Sequence, residues 1–446
     1  MPMELADTSH ARRVAIASAV GTIIEFYEFS VYATAAVLVF SQSFFPALGG
    51  LQGGIVALAT FGVAFVVRPL GAVIFGYLGD RRGRKNTLVW SLVIMGVATI
   101  GIGLLPTAAT IGVAAPILLV ALRIIQGLAL GGEWAGASLM TAESSPTGER
   151  GKYGIGPQLG PAIGFILSSL TFLAVSATLS PEQFIAWGWR IPFLASAVLI
   201  VIGLVIRVRL DESPVFVSGA KVIEKTSRIP MSELFSRQLR VLLLASGGSI
   251  AVFALFYVVV AFLPAYGTNT LGFSQSAVLI VNIAGAVVGA VTLSITAVLS
   301  DRLGRKPVLL AANVLCLVAA LLFFPIISAG HIASYAVGVF FLQAAVGAAY
   351  GPLAAYLPEL FATQYRYTGA GLAYNIATVL GASLTPIIAT ILISNYGVWT
   401  VTVYLAAICL ITLACLAASG ETARTGLVTS PAAEPVSTNP TFLKTP

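Results

Sequence analysis

Charge is what this sequence has least of. Asp, Glu, Lys and Arg together make up 9% of its 446 residues, where a soluble chain would carry roughly 25%. Histidine occurs twice, as His10 and His331, and cysteine three times, as Cys316, Cys409 and Cys415. Both histidines fall in expected tails or loops, which argues against a histidine metal site or proton relay. All three cysteines fall inside apolar runs and read as packing residues, so neither disulfides nor a cysteine cluster is expected. No nucleophile–base pair stands out, and an enzyme is not expected. Alternating segments of about ten residues, the mark of a membrane barrel, are also missing.

What is present is apolar. Ala, Val, Ile, Leu, Met, Phe, Trp, Tyr and Cys reach 58%, with a mean hydropathy of +0.97. They lie in runs of about 20 residues, long enough to cross ~30 Å of hydrocarbon as helices. Twelve spans are expected, near 14–40, 53–79, 86–106, 114–140, 153–177, 186–208, 240–266, 275–299, 307–328, 333–357, 368–394 and 397–417. All Lys and Arg except Arg68, Arg123 and Arg190 fall on one side when both termini share it. The positive-inside rule makes that side cytoplasmic. The net charge of +7 then reflects topology, and a nucleic-acid partner is not expected, because the basic residues are split among short hairpins. The first run follows a short polar start and is too long for a cleavable signal peptide. A cell inner (plasma) membrane location is expected, as a monomer in the lipid bilayer.

The chain is duplicated. GYLGDRRGRKNTL (Gly76–Leu88) returns about half a chain later as LSDRLGRKPVL (Leu299–Leu309). Asp80 aligns with Asp301, Gly83 with Gly304, and Arg84 with Arg305. Glu143 precedes Arg150 by seven residues, as Glu359 precedes Arg366. Such a repeat is the plan of a two-fold pseudo-symmetric transporter. It gives an all-α membrane protein of two six-helix bundles, 1–208 and 240–417. A cytoplasmic linker over 209–239 joins them, and a disordered tail covers 418–446. The glycines permit positive φ at sharp turns, and the basic residues suit anionic headgroups. The acids do not serve anchoring. Asp80 is expected to cap the helix that follows it or to pair with a nearby Arg, with Glu143 and Arg150 as plausible partners. The eight residues Asp80, Arg84, Glu143, Arg150, Asp301, Arg305, Glu359 and Arg366 form a candidate conformational latch.

The hairpin resembles the signature between the second and third helices of the major facilitator superfamily. Longer strings resemble its metabolite:proton symporter branch: GTIIEFYEFSVY (Gly21–Tyr32), FVVRPLGAVIFGYLGDRRGRK (Phe65–Lys85), APILLVALRIIQGLALGGEWAGA (Ala115–Ala137), AESSPTGERGKYG (Ala142–Gly154), WGWRIPFLASAVL (Trp187–Leu199) and LDESPVF (Leu210–Phe216). The resemblance covers nearly the whole chain and is strongest before residue 220. It implies twelve helices around a central cavity and uptake of an organic acid or zwitterion with protons. Phe26-Tyr27-Glu28 stands where that branch commonly has Trp-Tyr-Asp, which bears on the solute. Ala297 stands where the first hairpin has Gly76, which suggests looser packing in the second.

A charge at mid-bilayer costs roughly 2.5–3.5 kcal/mol unless it faces a partner or a polar cavity. Five residues sit that deep: Glu25, Glu28, Arg68, Arg123 and Glu133. Glu25 and Glu28 are i, i+3, and Tyr32 extends their face by a further turn. Two carboxylates so close repel, which suits one of them to gain a proton. Glu25, Glu28 and Glu133 are therefore candidate proton-coupling groups, or permanent counter-charges to Arg68 and Arg123. Arg68 lies about 18 Å from the hairpin edge. Arg123 has Gln126 at i+3, and Glu133 is expected on that same face. The resemblance links the R-x-x-Q-G string of Arg123 to proton coupling. Arg68, Arg123, Gln126 and Tyr32, with Gln343, Tyr350 and Asn375 from the uncharged second half, are candidate solute contacts; Tyr257, Asn282 and Tyr374 are further lining candidates. Gly127, Gly131, Gly132 and Gly136 read as close helix packing. No cofactor and no metal is expected. The function expected is proton-coupled uptake of a small polar metabolite by alternating access. The alternatives are a proton-coupled drug or metabolite exporter of the same fold and, from another class, a transport-like sensor.

Overall fold

The computed structural model describes residues 8–212, 231–328 and 330–423. Most of the expected linker and tail, including Pro214 and Pro230, lies outside the described residues. Twelve helices among the described residues are long and apolar enough to cross a membrane. We number them α1 Thr8–Ala35, α2 Gln52–Arg82, α3 Arg84–Leu104, α4 Ala114–Ser144, α5 Arg150–Thr178 and α6 Arg190–Val208, then α7 Leu234–Val260, α8 Ser276–Leu303, α9 Arg305–Ile327, α10 Ile332–Glu359, α11 Thr363–Ile393 and α12 Val398–Ala418. They form two pseudo-symmetric six-helix bundles. The first span begins at Thr8 rather than 14, and the seventh at Leu234 rather than 240. At the first a polar turn extends the helix beyond its apolar run; at the seventh the backbone kinks at Gln238 (φ −126°, ψ 17°), so the residues before it form a separate short helix and the apolar span itself starts near the expected 240.

Glycine sets how closely the helices cross. α4 lies on α2 backbone to backbone: a Cβ on Gly127 would sit 2.8 Å from Ala64 Cα, and one on Gly131 would sit 2.8 Å from the Gly71 carbonyl carbon. α5 lies on α1 the same way, where a Cβ on Gly164 would sit 2.7 Å from the Ile23 oxygen. The second bundle repeats this between α7 and α11, with Gly381 against the backbone of Ile250. Filling such a crossing forces the helices apart at roughly 1–3 kcal/mol. Gly131→Val is expected to lower the thermal midpoint of the detergent-solubilised protein by several degrees; an unchanged midpoint would show that the crossing has slack.

Gly83 (φ 106°) and Gly304 (φ 103°) turn the two hairpins in backbone that side-chain-bearing residues avoid. The hairpin acids do not cap the helices that follow them. Glu212 does this for α3, accepting from the N–H groups of Arg84 (3.0 Å) and Lys85 (3.2 Å). Glu421 does it for α9, accepting from Arg305 (2.9 Å) and Lys306 (3.0 Å). Burial pushes the Glu421 carboxyl up, but N–H donors from Ala423, Arg305, Thr422 and Lys306 reverse this and hold it below the usual range. Each bundle thus ends by returning an acid to its own hairpin. Four stretches adopt wider i→i+5 turns: Ala36–Phe40, Phe184–Gly188, Val258–Phe262 and Val379–Ser383. Three of them lie within or just beyond the helices that flank the central cavity.

Candidate functional site

The bundles enclose a cavity of about 700 Å³. It runs from Arg68 to the segment between α7 and α8, where Thr268, in the short helix Leu263–Asn269, and Phe273 line it. Aromatic rings dominate its wall: Phe26, Phe29 and Phe165 from the first bundle, and Phe253, Tyr257 and Tyr374 from the second. Polar atoms come from Gln158, Asn282, Gln343 and Tyr350 among others. Arg68 is the only charged residue of the wall among the described residues.

Arg68 is held from behind. Its Nη2 donates to Glu25 Oε1 at 3.2 Å, and both side chains are almost fully buried. The guanidinium also packs on the rings of Phe65 (5.2 Å) and Phe29 (5.5 Å). Glu25 and Glu28, one helix turn apart, take partners on different helices. Glu28 turns to α3, where Thr99 Oγ1 donates to it at 2.5 Å. Thr99 accepts from Gln126 (2.7 Å), and Gln126 Oε1 accepts from Arg123 Nη1 (2.5 Å). A relay Arg123–Gln126–Thr99–Glu28 therefore runs inside the first bundle, away from the cavity. Arg123 stacks 4.0 Å from the Tyr32 ring, and its Nε and Nη2 have no hydrogen-bond partner. Tyr32 itself bonds Thr60 at 2.6 Å.

Of the seven expected solute contacts, Arg68, Gln343 and Tyr350 line the cavity, and Arg123, Gln126 and Tyr32 lie behind its wall in the first bundle. Asn375 does not line it either; its Nδ2 donates to the Gly131 oxygen of the other bundle at 2.9 Å. Tyr257, Asn282 and Tyr374 do line it. Glu133 does not share the surroundings of Gln126. It pairs with Arg207 through two contacts, Nη1 to Oε2 at 3.1 Å and a shorter Nη2 to Oε1, and it accepts from Ser91 at 2.8 Å. The sequence placed Arg207 among the surface anchors. It is buried instead, because Glu133 draws it inward across the α1 backbone. Gly21 makes the room: a Cβ there would lie 2.7 Å from both Arg207 Cζ and Glu133 Oε1. A bare glycine one turn before Glu25 was the only sequence signal for this packing.

On the hairpin side the two bundles are joined by reciprocal contacts. Asp80 accepts from the N–H groups of Tyr367 (3.1 Å) and Thr368 (3.0 Å) at the start of α11, and from the Thr368 hydroxyl (2.8 Å). Asp301 accepts from Gly151 and Lys152, both at 2.8 Å, at the start of α5. Each acid therefore neutralises a helix N-terminus in the opposite bundle. Around them Arg84 meets Glu143 (3.5 Å), Arg366 meets Glu143 (3.8 Å), Arg150 meets Glu359 (3.1 Å) and Arg305 meets Glu359 (3.3 Å). All eight candidate latch residues come together. Asp80 pairs with Arg84 of its own hairpin (3.5 Å), one of the nearby arginines that the sequence offered. The second hairpin is not looser for having Ala297, because the glycine has moved to the facing helix: Gly151 packs on the Ala297 oxygen, where Gly76 packs on Thr368.

Comparison with known proteins agrees with this architecture. A family model described as Major Facilitator Superfamily matches residues 18–378 and 289–443. The chain is 43% identical over 415 residues to the "Inner membrane metabolite transport protein YhjE" of Escherichia coli (strain K12), covering 92% of this chain and 94% of that one. It is 38% identical to a "Shikimate transporter" of the same organism (90% and 93%) and 34% identical to its "Proline/betaine transporter" (87% and 79%). Among solved structures, the proton:xylose symporter XylE bound to 6-bromo-6-deoxy-D-glucose superposes with a TM-score of 0.75 over 93% of this chain and 97% of that one, at 17% identity.

Proposed function

The chain belongs to the major facilitator superfamily, a transporter and not an enzyme, and on that premise we propose that it takes up a monocarboxylate metabolite together with protons. The Glu25–Arg68 pair carries the reading: one face of Arg68 opens on the cavity while Glu25 holds the other from behind. An incoming carboxylate competes with Glu25 for the guanidinium, which offers a planar fork to either. Removing one partner from a buried pair costs about 3–5 kcal/mol. Glu25 avoids that cost by taking a proton, and the loaded carrier then reorients with no unpaired buried charge. Glu28, at the end of the Arg123 relay, and Glu133, on Arg207, are secondary proton sites in this scheme. The uncharged Gln343 and Tyr350 complete the solute contacts from the second bundle.

The relatives named for shikimate and for proline/betaine support a carboxylate-bearing solute. A second anionic group would face aromatic wall with no further cation among the described residues, so di- and tricarboxylates are disfavoured. Basic hairpins on one side support a multi-pass inner-membrane protein with both termini cytoplasmic, working as a monomer. We place its functional halves at 1–208 and 240–417, joined by 209–239. One observation favours the exporter of the same fold as a second reading: only one of the five buried charges reaches a largely apolar wall.

Binding separates the solute classes. Monocarboxylates should stabilise the purified protein against thermal unfolding in a manner lost in Arg68→Met, while succinate and citrate should not. Equal stabilisation by dicarboxylates, or stabilisation by lipophilic cations alone, would contradict the uptake reading.

A further inference from the structure

Four residues between the cavity and the charged hairpins form a closed set of contacts across the bundle interface. Trp134 of α4 stacks on Tyr374 of α11, ring centroids 3.8 Å apart and 14° from parallel. Trp134 Nε1 donates to Gln158 Oε1 of α5 at 2.9 Å. Gln158 Nε2 donates to the Tyr350 backbone oxygen of α10 at 2.6 Å. The Tyr350 and Tyr374 hydroxyls lie 3.1 Å apart. The ring closes: first bundle, first bundle, second bundle, second bundle. Gln158, Tyr350 and Tyr374 present their upper faces to the cavity, and Trp134 is 2% exposed beneath them. Level with this layer the Asn375 amide bonds the Gly131 oxygen, and from the hairpin side the Tyr367 hydroxyl reaches the Gly132 oxygen (2.8 Å); the hairpin acids lie beyond.

We propose that Gln158 and Trp134 are positioning residues that hold the floor of the transport cavity shut, as a seal in series with the charged latch and separable from it. A glutamine suits the task because its two ends bond in opposite senses. Its oxygen takes the indole N–H on its own side of the interface, and its amide donates to a backbone oxygen on the other. A buried, doubly bonded amide is high in stakes, since losing it strands both partners. The indole adds a flat surface on which Tyr374 rests without a covalent or ionic tie, so the two bundles can part without breaking a salt bridge at this level. The aromatic pair blocks the path while solute sits above it, and the amide fixes both rings. The inference rests on the cavity being the transport route proposed above.

The test reads accessibility rather than transport. Ser30, on the cavity wall, is replaced by Cys in full-length protein in oriented vesicles, and a membrane-impermeant maleimide is added on the hairpin side without solute. The parent protein without Ser30→Cys corrects for Cys316, Cys409 and Cys415. Labelling of Ser30→Cys should be slow. Adding Gln158→Leu, which keeps the bulk but removes both bonds, should speed it at least tenfold, and Trp134→Phe should speed it by a smaller factor. Asp80→Asn/Asp301→Asn, with the floor intact, should leave it nearly unchanged. Unaltered labelling in folded Gln158→Leu and Trp134→Phe proteins would overturn the proposal. So would labelling in the hairpin double variant as fast as in Gln158→Leu, since the floor would then be no seal of its own. Absence of proton-coupled flux in the wild type would refute the proposed function while leaving this result to judge the floor.

Discussion

Glu25→Gln is expected to abolish solute accumulation while leaving solute exchange in place. The reasoning follows from the buried pair. With Gln at 25, Arg68 keeps a hydrogen-bond acceptor but loses its competing charge, so the solute carboxylate meets a freer guanidinium and binds at least as tightly. The proton that solute binding called for then has no taker at Arg68, because Glu28 faces Thr99 and Glu133 faces Arg207. In a one-proton, one-monoanion cycle, each unit of pH gradient supports about tenfold accumulation, because one unit corresponds to 1.36 kcal/mol. The variant should equilibrate solute across the vesicle membrane at a ratio near one, whatever the gradient, and its apparent affinity should lose its dependence on pH. Counterflow of labelled solute should continue. Arg68→Met should lose exchange as well, since the solute loses the one cation that the described residues place in the wall. Accumulation by Glu25→Gln at wild-type levels would remove Glu25 from the cycle.

Asp80→Asn combined with Asp301→Asn is expected to loosen the hairpin closure locally, while the floor at Gln158 and Trp134 keeps the cavity shut. Together the two acids accept four backbone N–H bonds at the starts of α11 and α5. Hydrogen bonds to charged groups are worth about 1.5–3 kcal/mol each. Asn retains one acceptor oxygen and loses the charge, so a net loss of about 1–2 kcal/mol per hairpin is a fair expectation. Over two hairpins the ratio of closed to locally opened hairpin forms should change by one to three powers of ten. Hydrogen exchange reports this at the bonded groups themselves. The amides of Gly151, Lys152, Tyr367 and Thr368 should exchange 10- to 1000-fold faster in the double variant, and those of mid-span α4 should be unaffected. Unchanged exchange at all four would mean that the salt bridges of Glu143 and Glu359 close the hairpin side alone.

The fold was readable because hydrophobic runs of membrane length and a repeated charged hairpin are coarse signals that survive side-chain detail. Even the reciprocal closure left a trace, in the equal spacing of Glu143–Arg150 and Glu359–Arg366. The site was less readable, for reasons that differ by residue. Arg207 ends a span and looks like any basic anchor, and its burial depends on a distant glutamate and on Gly21. The i, i+3 spacing of Glu25 and Glu28 places them on one face, yet a carboxylate's partner is set by neighbouring helices, here α2 for one and α3 for the other. Trp134 and Gln158 carried no charge to draw notice. Gln158 does stand in a Gly/Pro-rich stretch, GPQLGP, where an amide has few structural duties. Aromatic cavity-lining residues cannot be told from packing residues by spacing, and Asn375 reads as a lining residue until the partner helix is in place.

The central claim is that solute and proton meet at Glu25–Arg68. It is tested most directly by following external pH as a monocarboxylate is added to sodium-free proteoliposomes. Wild-type protein should alkalinise the medium, an uncoupler should abolish the signal, and Glu25→Gln should give none while still exchanging labelled solute. Uptake that requires sodium and moves no protons would contradict the account, as would full alkalinisation by the Glu25→Gln/Glu28→Gln/Glu133→Gln triple variant.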